Sequence, residues 1–366
     1  MPTSVSFTHM DLRYPSPTGQ DPLLIALRDY YNHFNDASIE TDNIAVFPGG
    51  RGAVYATLAF LRKEHKVLVE EVEYTPYFDV LKLMQKNYRV VPSNVENNFR
   101  PDVSTYRDTL SDDDGRKAFV LKSNPCNPTG VMMGGAALQD LVDFCSEDGH
   151  GGIIDEAYEF FHDNAESALK YIPDINDTNI FVISAATKGL QAPGLRVGWV
   201  IASQENIKTI RNISSLAMGG VSRLSQIACA QLLDLDRCIH ARRAIAAFYG
   251  GQRKRYGAIL RELGFSLYTG EGGFYHWCKL PGNMTCVEFN ERLFKLGAAV
   301  LPGTLCDMFR RGESGPMGSF IRYEGIVLHC LQTRDPSYLI FFNLDFLLEP
   351  FRLNCSKEMW KSYATP

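Results

Sequence analysis

The sequence contains no C-x-x-C pair, no block of like charge longer than Asp112, Asp113 and Asp114, and no G-x-x-x-x-G-K-[ST] turn. The first absence removes the usual zinc and dithiol spacings. The second removes the phosphate-backbone footprint of a nucleic-acid binder, and the third argues against a nucleotide hydrolase. Apolar runs are short too. The longest, Tyr338 to Leu348, carries Asn343 and Asp345 and falls well below the ~20 residues that span a bilayer. The N-terminus, MPTSVSFTHMDLRYP, has no basic stretch followed by an apolar one, so it does not read as a secretory signal. A cytoplasmic location is expected, with no metal, nucleic acid or membrane as partner.

Ordinary globular material makes up the rest. The chain has 366 residues, 45% of them hydrophobic and 22% charged, with a formal charge of −5. That length suggests two packed units, and that mix excludes wholesale disorder. Nine cysteines are scattered and odd in number, which reads as buried free thiols.

Helical and strand-like stretches alternate along the first half. Helical spacing of apolar residues runs over Leu23 to Tyr31, Gly52 to Lys63, Tyr77 to Lys86 and Ala136 to Asp148. Between them, Lys66 to Glu70, Arg89 to Pro92, Ala118 to Lys122, Gly152 to Asp155 and Ile180 to Ser184 read as strands. This rhythm predicts an α/β fold with a mostly parallel, doubly covered sheet, whose ligands sit beyond the strands' carboxyl ends. Ser222 to Leu263 reads as one nearly uninterrupted helix ending at Gly264. It bridges to a smaller α+β domain with a strand over Gly273 to Leu280 and a helix over Thr285 to Leu296. The division expected is a large domain over 1–255 and a small one over 256–366.

Three polar clusters follow the ends of expected strands. In Ser123-Asn124-Pro125-Cys126-Asn127-Pro128-Thr129-Gly130, two Asn-Pro steps and a Thr-Gly force a tight non-helical path. In Ile153-Ile154-Asp155-Glu156-Ala157-Tyr158, an acidic residue closes an apolar strand, where burial demands a cationic partner. An apolar run ending in Asp-Glu also suits magnesium in a nucleotide hydrolase, but the turn Pro48-Gly49-Gly50-Arg51-Gly52-Ala53 lacks the required lysine and hydroxyl. Opening a helix, that turn can cradle another phosphate. The third cluster, Ser184-Ala185-Ala186-Thr187-Lys188, leads into a glycine-punctuated segment holding Pro193 and Arg196. Lys188 there is a candidate Schiff-base former, its pKa lowered by partial desolvation.

The blocks SNPCNPTG, IIDEAYEF and ATKGLQAPGLRVGW, in that order, resemble those of fold-type I pyridoxal-phosphate enzymes of the aminotransferase class I/II family. YPSPTG, PGGRGA, EYTP, GGFYHWCKLP and LPG extend the resemblance over about residues 14 to 303. It implies an aminotransferase that moves an amino group from an amino acid to a 2-oxo acid by ping-pong half-reactions. Lys188 then resembles the lysine that binds pyridoxal 5′-phosphate as a Schiff base and carries the substrate Cα proton. Asp155 resembles the carboxylate that pairs with the pyridine nitrogen, and Asn127 and Tyr158 the pair that bonds the phenolic oxygen. Gly50, Arg51 and Arg196 match phosphate contacts, and Tyr74 an aromatic over the ring. Tyr14 matches a tyrosine reaching the neighbouring subunit's phosphate, which implies a homodimer with shared active sites.

Departures from the family pattern are visible as well. Ala185 stands where the family commonly has a phosphate-binding serine, and Ser184 or Thr187 is expected to compensate. Only 13 residues precede Tyr14, so an altered substrate lid is expected. Two arginines compete for the substrate carboxylate. Phe351-Arg352-Leu353-Asn354 has the better local match and is favoured, whereas Phe320-Ile321-Arg322-Tyr323 has the more usual distance from Pro302-Gly303. The same residue set supports elimination, decarboxylation, or oxidase and cyclase chemistry. A different class altogether is a non-enzymatic binding module, against which the intact Lys188, Asp155, Asn127, Tyr158 and Arg196 argue.

Overall fold

A computed structural model describes residues 6–110, 117–295 and 298–324. Strands β1 (Ile44–Phe47), β2 (Lys66–Glu70), β3 (Tyr88–Val91), β4 (Ala118–Ser123), β5 (Gly151–Asp155), β6 (Ile180–Ala185) and β7 (Gly198–Ile201) form a seven-stranded sheet. Their order is β1-β7-β6-β5-β4-β2-β3. From β3 through β6 every pairing is parallel, and only β7 runs against its neighbours β6 and β1. The mostly parallel α/β sheet expected from the sequence is therefore present.

Both faces of this sheet are buried. Leu68, Val120, Ile154, Val182 and Ile201 enter one apolar cluster. Val67, Val69, Phe119, Leu121, Ile153, Phe181 and Ile183, one residue out of step with them, enter another. Strand side chains alternate between faces, so such near-continuous apolar runs suit strands covered on both sides. The covering helices include α1 (Asp21–Asn35), α2 (Gly49–Phe60), α3 (Thr75–Leu83), α4 (Val103–Leu110), α5 (Ala136–Ser146) and α6 (Gln204–Ile213). α2 begins three residues before the expected Gly52, so the glycine turn is itself the helix's first turn.

The expected single helix over 222–263 is two. α7 (Arg223–Leu232) ends at Leu233, and α8 (Leu235–Glu262) restarts from Asp234, whose side chain accepts the Arg237 N–H. An aspartate at that position caps a new helix better than it continues an old one, and periodicity alone did not reveal the break. α8 is 28 residues long, about 42 Å at 1.5 Å per residue. Beyond it, β8 (Ser266–Leu267), β9 (His276–Lys279), β10 (Leu301–Pro302) and β11 (Phe320–Tyr323) form a second sheet in the order β10-β11-β9-β8, with α9 (Cys286–Lys295) beside it. The strand expected from Gly273 begins only at His276. Among the described residues no helix is long and apolar enough to cross a membrane.

Candidate active site

Three adjacent parallel strands, β4, β5 and β6, end side by side, and each hands the chain to one of the polar clusters. After β4, the loop is tied down by its own side chains. Asn124 Nδ2 donates to the Met133 carbonyl at 3.1 Å, its Oδ1 accepts the Met133 N–H at 2.8 Å, and the Ser123 hydroxyl accepts the Asn127 N–H at 3.0 Å. That hydroxyl in turn donates to Glu73 Oε2 at 2.7 Å. Glu73 is wholly buried, and burial pushes its carboxyl up to about 8. These bonds fix Asn127, whose Nδ2 lies 3.4 Å from the Tyr158 hydroxyl.

Asp155 closes β5. Its Oδ2 accepts from the Tyr77 hydroxyl at 2.8 Å and its Oδ1 from the Ala157 N–H at 3.1 Å. Burial raises its pKa, and those two hydrogen bonds oppose the rise. It makes no ion pair among the described residues, which leaves a buried carboxylate without the cation that would offset its desolvation.

Lys188 follows β6. Its Nζ lies 5.1 Å from the Phe274 ring centre and 5.9 Å from that of Tyr158. Burial lowers its pKa; Glu324 acts against this, while Arg322 and Arg51 add to it. An amine held this way is more readily uncharged near neutrality, as a nucleophile or proton acceptor requires.

The glycine turn lies at the start of α2, where backbone N–H groups lack intrahelical partners. Gly49 adopts φ +76°, and a Cβ there would overlap the Arg196 guanidinium. A Cβ on Gly198 would overlap the Gly49–Gly50 peptide. Both glycines thus let an arginine and a strand close on the helix start. Arg196 itself holds a left-handed backbone, φ 54°, a conformation uncommon outside glycine. Free N–H groups, the positive helix end and a guanidinium converge there, and together they make an anion cradle. Arg51 donates through Nε to the Tyr74 hydroxyl at 2.9 Å.

Arg322 reaches the same place from the second sheet. Its Nη1 donates to Asn127 Oδ1 at 2.8 Å, its Nη2 pairs with Glu324, and its Cζ lies 4.5 Å over the Tyr275 ring. Arg322 Nε is buried and has no hydrogen-bond partner among the described residues.

Lys188, Asp155, Asn127, Tyr158, Tyr74, Arg51, Gly50, Arg196 and Arg322 are therefore brought to the carboxyl ends of the large sheet. Ser184 is a correction. Strand alternation points it the other way, where its hydroxyl donates to Glu159 at 3.2 Å, while Ala185 faces Gly50 across the cradle. Thr187 is half-buried in the turn before Lys188. Tyr14 is 93% exposed. Arg352 lies outside the described residues. Sequence reasoning missed Tyr77, Tyr275, Glu73 and Glu324. A signal existed only for Tyr77, which stands three residues beyond Tyr74 on the same helical turn.

The profile of the aminotransferase class I and II family matches residues 6–315. The aspartate aminotransferase of Pyrococcus horikoshii is 24% identical over 298 residues, covering 80% of this chain and 74% of that protein. The LL-diaminopimelate aminotransferase of Aquifex aeolicus is 25% identical over 299 residues, covering 80% and 75%. Among solved structures, a Thermus thermophilus aspartate aminotransferase tetra mutant superposes with a TM-score of 0.76 at 21% identity, covering 86% of this chain and 84% of that one.

Proposed function

The chain belongs to the aminotransferase class I and II family and is a pyridoxal-phosphate-dependent enzyme that transfers amino groups; we propose that Lys188, Asp155, Asn127, Tyr158 and Arg196 do this work. The observation that carries the assignment is their convergence at three neighbouring strand ends. Each offers what one part of the cofactor needs. Asp155, buried without a cation, suits a protonated ring nitrogen. Asn127 Nδ2 and the Tyr158 hydroxyl suit a phenolic oxygen, and the Gly49–Gly50 turn with Arg196 suits a phosphate. Lys188 suits an aldehyde. When bound, the cofactor supplies an electron-withdrawing ring that spreads the charge left on the substrate Cα.

The chain's own part is positional and acid–base. Lys188 Nζ would take the proton from the substrate Cα and pass it to the cofactor carbon that gains the amino group, a task eased by the lowered pKa that burial gives it. Asp155 holds the ring nitrogen's proton in place, and the Tyr77 hydroxyl and the Ala157 N–H keep its carboxylate oriented. Tyr74, linked to Arg51, is set to lie against the ring face.

Arg322 is the substrate-carboxylate receptor in this reading, because its bond to Asn127 sets it beside the reacting groups. A planar guanidinium matches a carboxylate bidentately and an ammonium does not. A panel of amino acids assayed for oxo-acid product tests the reading. Arg322→Lys is expected to raise KM at least tenfold for every amino acid that reacts, with Arg352→Lys close to the parent. The reverse result moves the assignment to Arg352, and release of ammonia instead of transfer favours an elimination lyase.

Ala185 offers a gain-of-function test. It faces the cradle without a hydroxyl, so Ala185→Ser adds one donor to a charged acceptor. Such a bond contributes about 1.5–3 kcal/mol, and the expected outcome is roughly tenfold or more tighter cofactor binding, read by titrating the cofactor-free protein.

A homodimer with shared sites, Tyr14 reaching the neighbour's phosphate, completes the proposal. Phe7, Met10, Leu12 and Tyr14 are all at least half exposed, as a segment laid on a second copy would be. A division into domains at 255/256, within α8, accommodates the two sheets. Among the described residues seven cysteines are buried and unpaired, which supports a reducing compartment such as the cytoplasm.

A further inference from the structure

We propose that Glu324 is a specificity-determining residue: an internal carboxylate seated on Arg322, which any substrate with a carboxylate on its reacting carbon must displace, while the closed pair admits primary amines that lack one. This inference rests on the reading of Arg322 as the carboxylate receptor.

The geometry is local. Glu324 follows β11 directly and stands two residues from Arg322, so strand alternation puts both side chains on one face. Arg322 spends one Nη1 proton on Asn127 and one Nη2 proton on Glu324. Its Nε, buried and without a partner among the described residues, is the other tooth of the Nε–Nη2 fork. A carboxylate that bridges Nε and Nη2 satisfies the orphaned donor and competes with Glu324 for Nη2. Glu324 belongs to the reaction chamber and not to its rim, because its charge acts on Lys188, Tyr158 and Tyr275. Its side chain is only 12% exposed and that of Arg322 15%.

Two binding states follow. With the pair closed, the guanidinium charge is compensated and its flat face is covered by Tyr275, so a reacting carbon bearing hydrogen meets no unpaired buried charge. With the pair open, an α-carboxylate takes the fork and Glu324 loses its partner. Affinity for α-carboxylates is thereby held down, and discrimination against amines is weakened, since specificity is the difference between the two.

L-Norvaline and 1-aminobutane differ only by the α-carboxylate and provide the probe. Single-turnover rates of the holoenzyme are followed by its cofactor absorption, and pentanoate binding is followed by calorimetry. Glu324→Gln is expected to tighten pentanoate about tenfold and to shift the norvaline-to-aminobutane rate ratio at least tenfold toward norvaline. Glu324→Asp, which keeps the charge, is expected to stay near the parent on both readouts. Should Glu324→Gln fail to fold or load cofactor, Glu324→Ala serves in its place, and where neither amine reacts, pentanoate affinity alone decides. Unchanged pentanoate affinity in both neutral variants overturns the proposal. Arg322→Lys separates the two layers: lost pentanoate binding there leaves the Arg322 reading intact, whereas unchanged binding sinks that reading and this inference together.

Discussion

Lys188→Ala is expected to lower kcat by about 10⁴-fold, at the upper end of what one positioned proton carrier supplies. The loss is large because, among the described residues, Glu324, the carboxylate whose charge acts on Lys188, is already engaged by Arg322. The rings of Phe274 and Tyr158 flank Lys188 Nζ. The Tyr158 hydroxyl, itself pushed up by burial, is a poor base at neutral pH. A guanidinium has only donors and no site that accepts a proton. Two further readouts separate a lost base from a damaged fold. The absorption band of lysine-linked cofactor disappears, and a small primary amine added to the assay restores part of the rate. A variant that retains more than a tenth of the parent's kcat would assign the proton transfer to another group.

Asp155→Asn has the second largest expected effect, and its sign differs between the loaded and unloaded protein. In the holoenzyme, the change removes the anion that holds a proton on the ring nitrogen. Breaking one side of a buried pair costs about 3–5 kcal/mol, so kcat is expected to fall roughly 10²- to 10³-fold with little change in KM. In the cofactor-free protein, the carboxylate is buried without a cation and its pKa is raised in the fold. A folded state that holds a proton more tightly than the unfolded chain loses stability as pH rises from the unfolded pKa, near 3.8, up through the folded one. Above that window the full penalty persists. Asn carries no such penalty, so the unloaded Asp155→Asn protein is expected to be as stable as the parent at pH 7 or more so. Its Tm should also fall less than the parent's as pH is raised across the window. Thermal denaturation with and without cofactor checks both signs, and a parent-like kcat would remove Asp155 from the site.

These effects depend on side chains to which the sequence motifs assign no role. Tyr77 orients Asp155, and the pair of Glu73 and Ser123 fixes the turn that presents Asn127. Such residues act by holding a first contact in place, so their own chemistry gives no clue to their importance. Glu73 shows why. It looks like a surface carboxylate before a tyrosine, yet it is buried beneath the Asn-Pro loop, with two bonds from Ser123 and one from the Tyr74 N–H.

What the sequence determined by itself was local and periodic. Apolar runs of strand length, bounded by turn residues, placed β2, β4, β5 and β6 almost to the residue, because a strand buried on both faces leaves little freedom in composition. The polar residues ending those runs, Asp155 and Asn127 among them, were legible because buried polar groups are rare and need a reason. Tertiary structure decided everything that depends on phase or on distant partners. Whether Ser184 or Ala185 faces the cradle is set by the pleat of β6, and a single residue of register reverses it. The break between α7 and α8 turned on one cap at Asp234. Arg322 and Glu324 entered the site only because β11 pairs with β9, the strand that directly follows Tyr275, and no periodicity near residue 322 encodes a bond to residue 127.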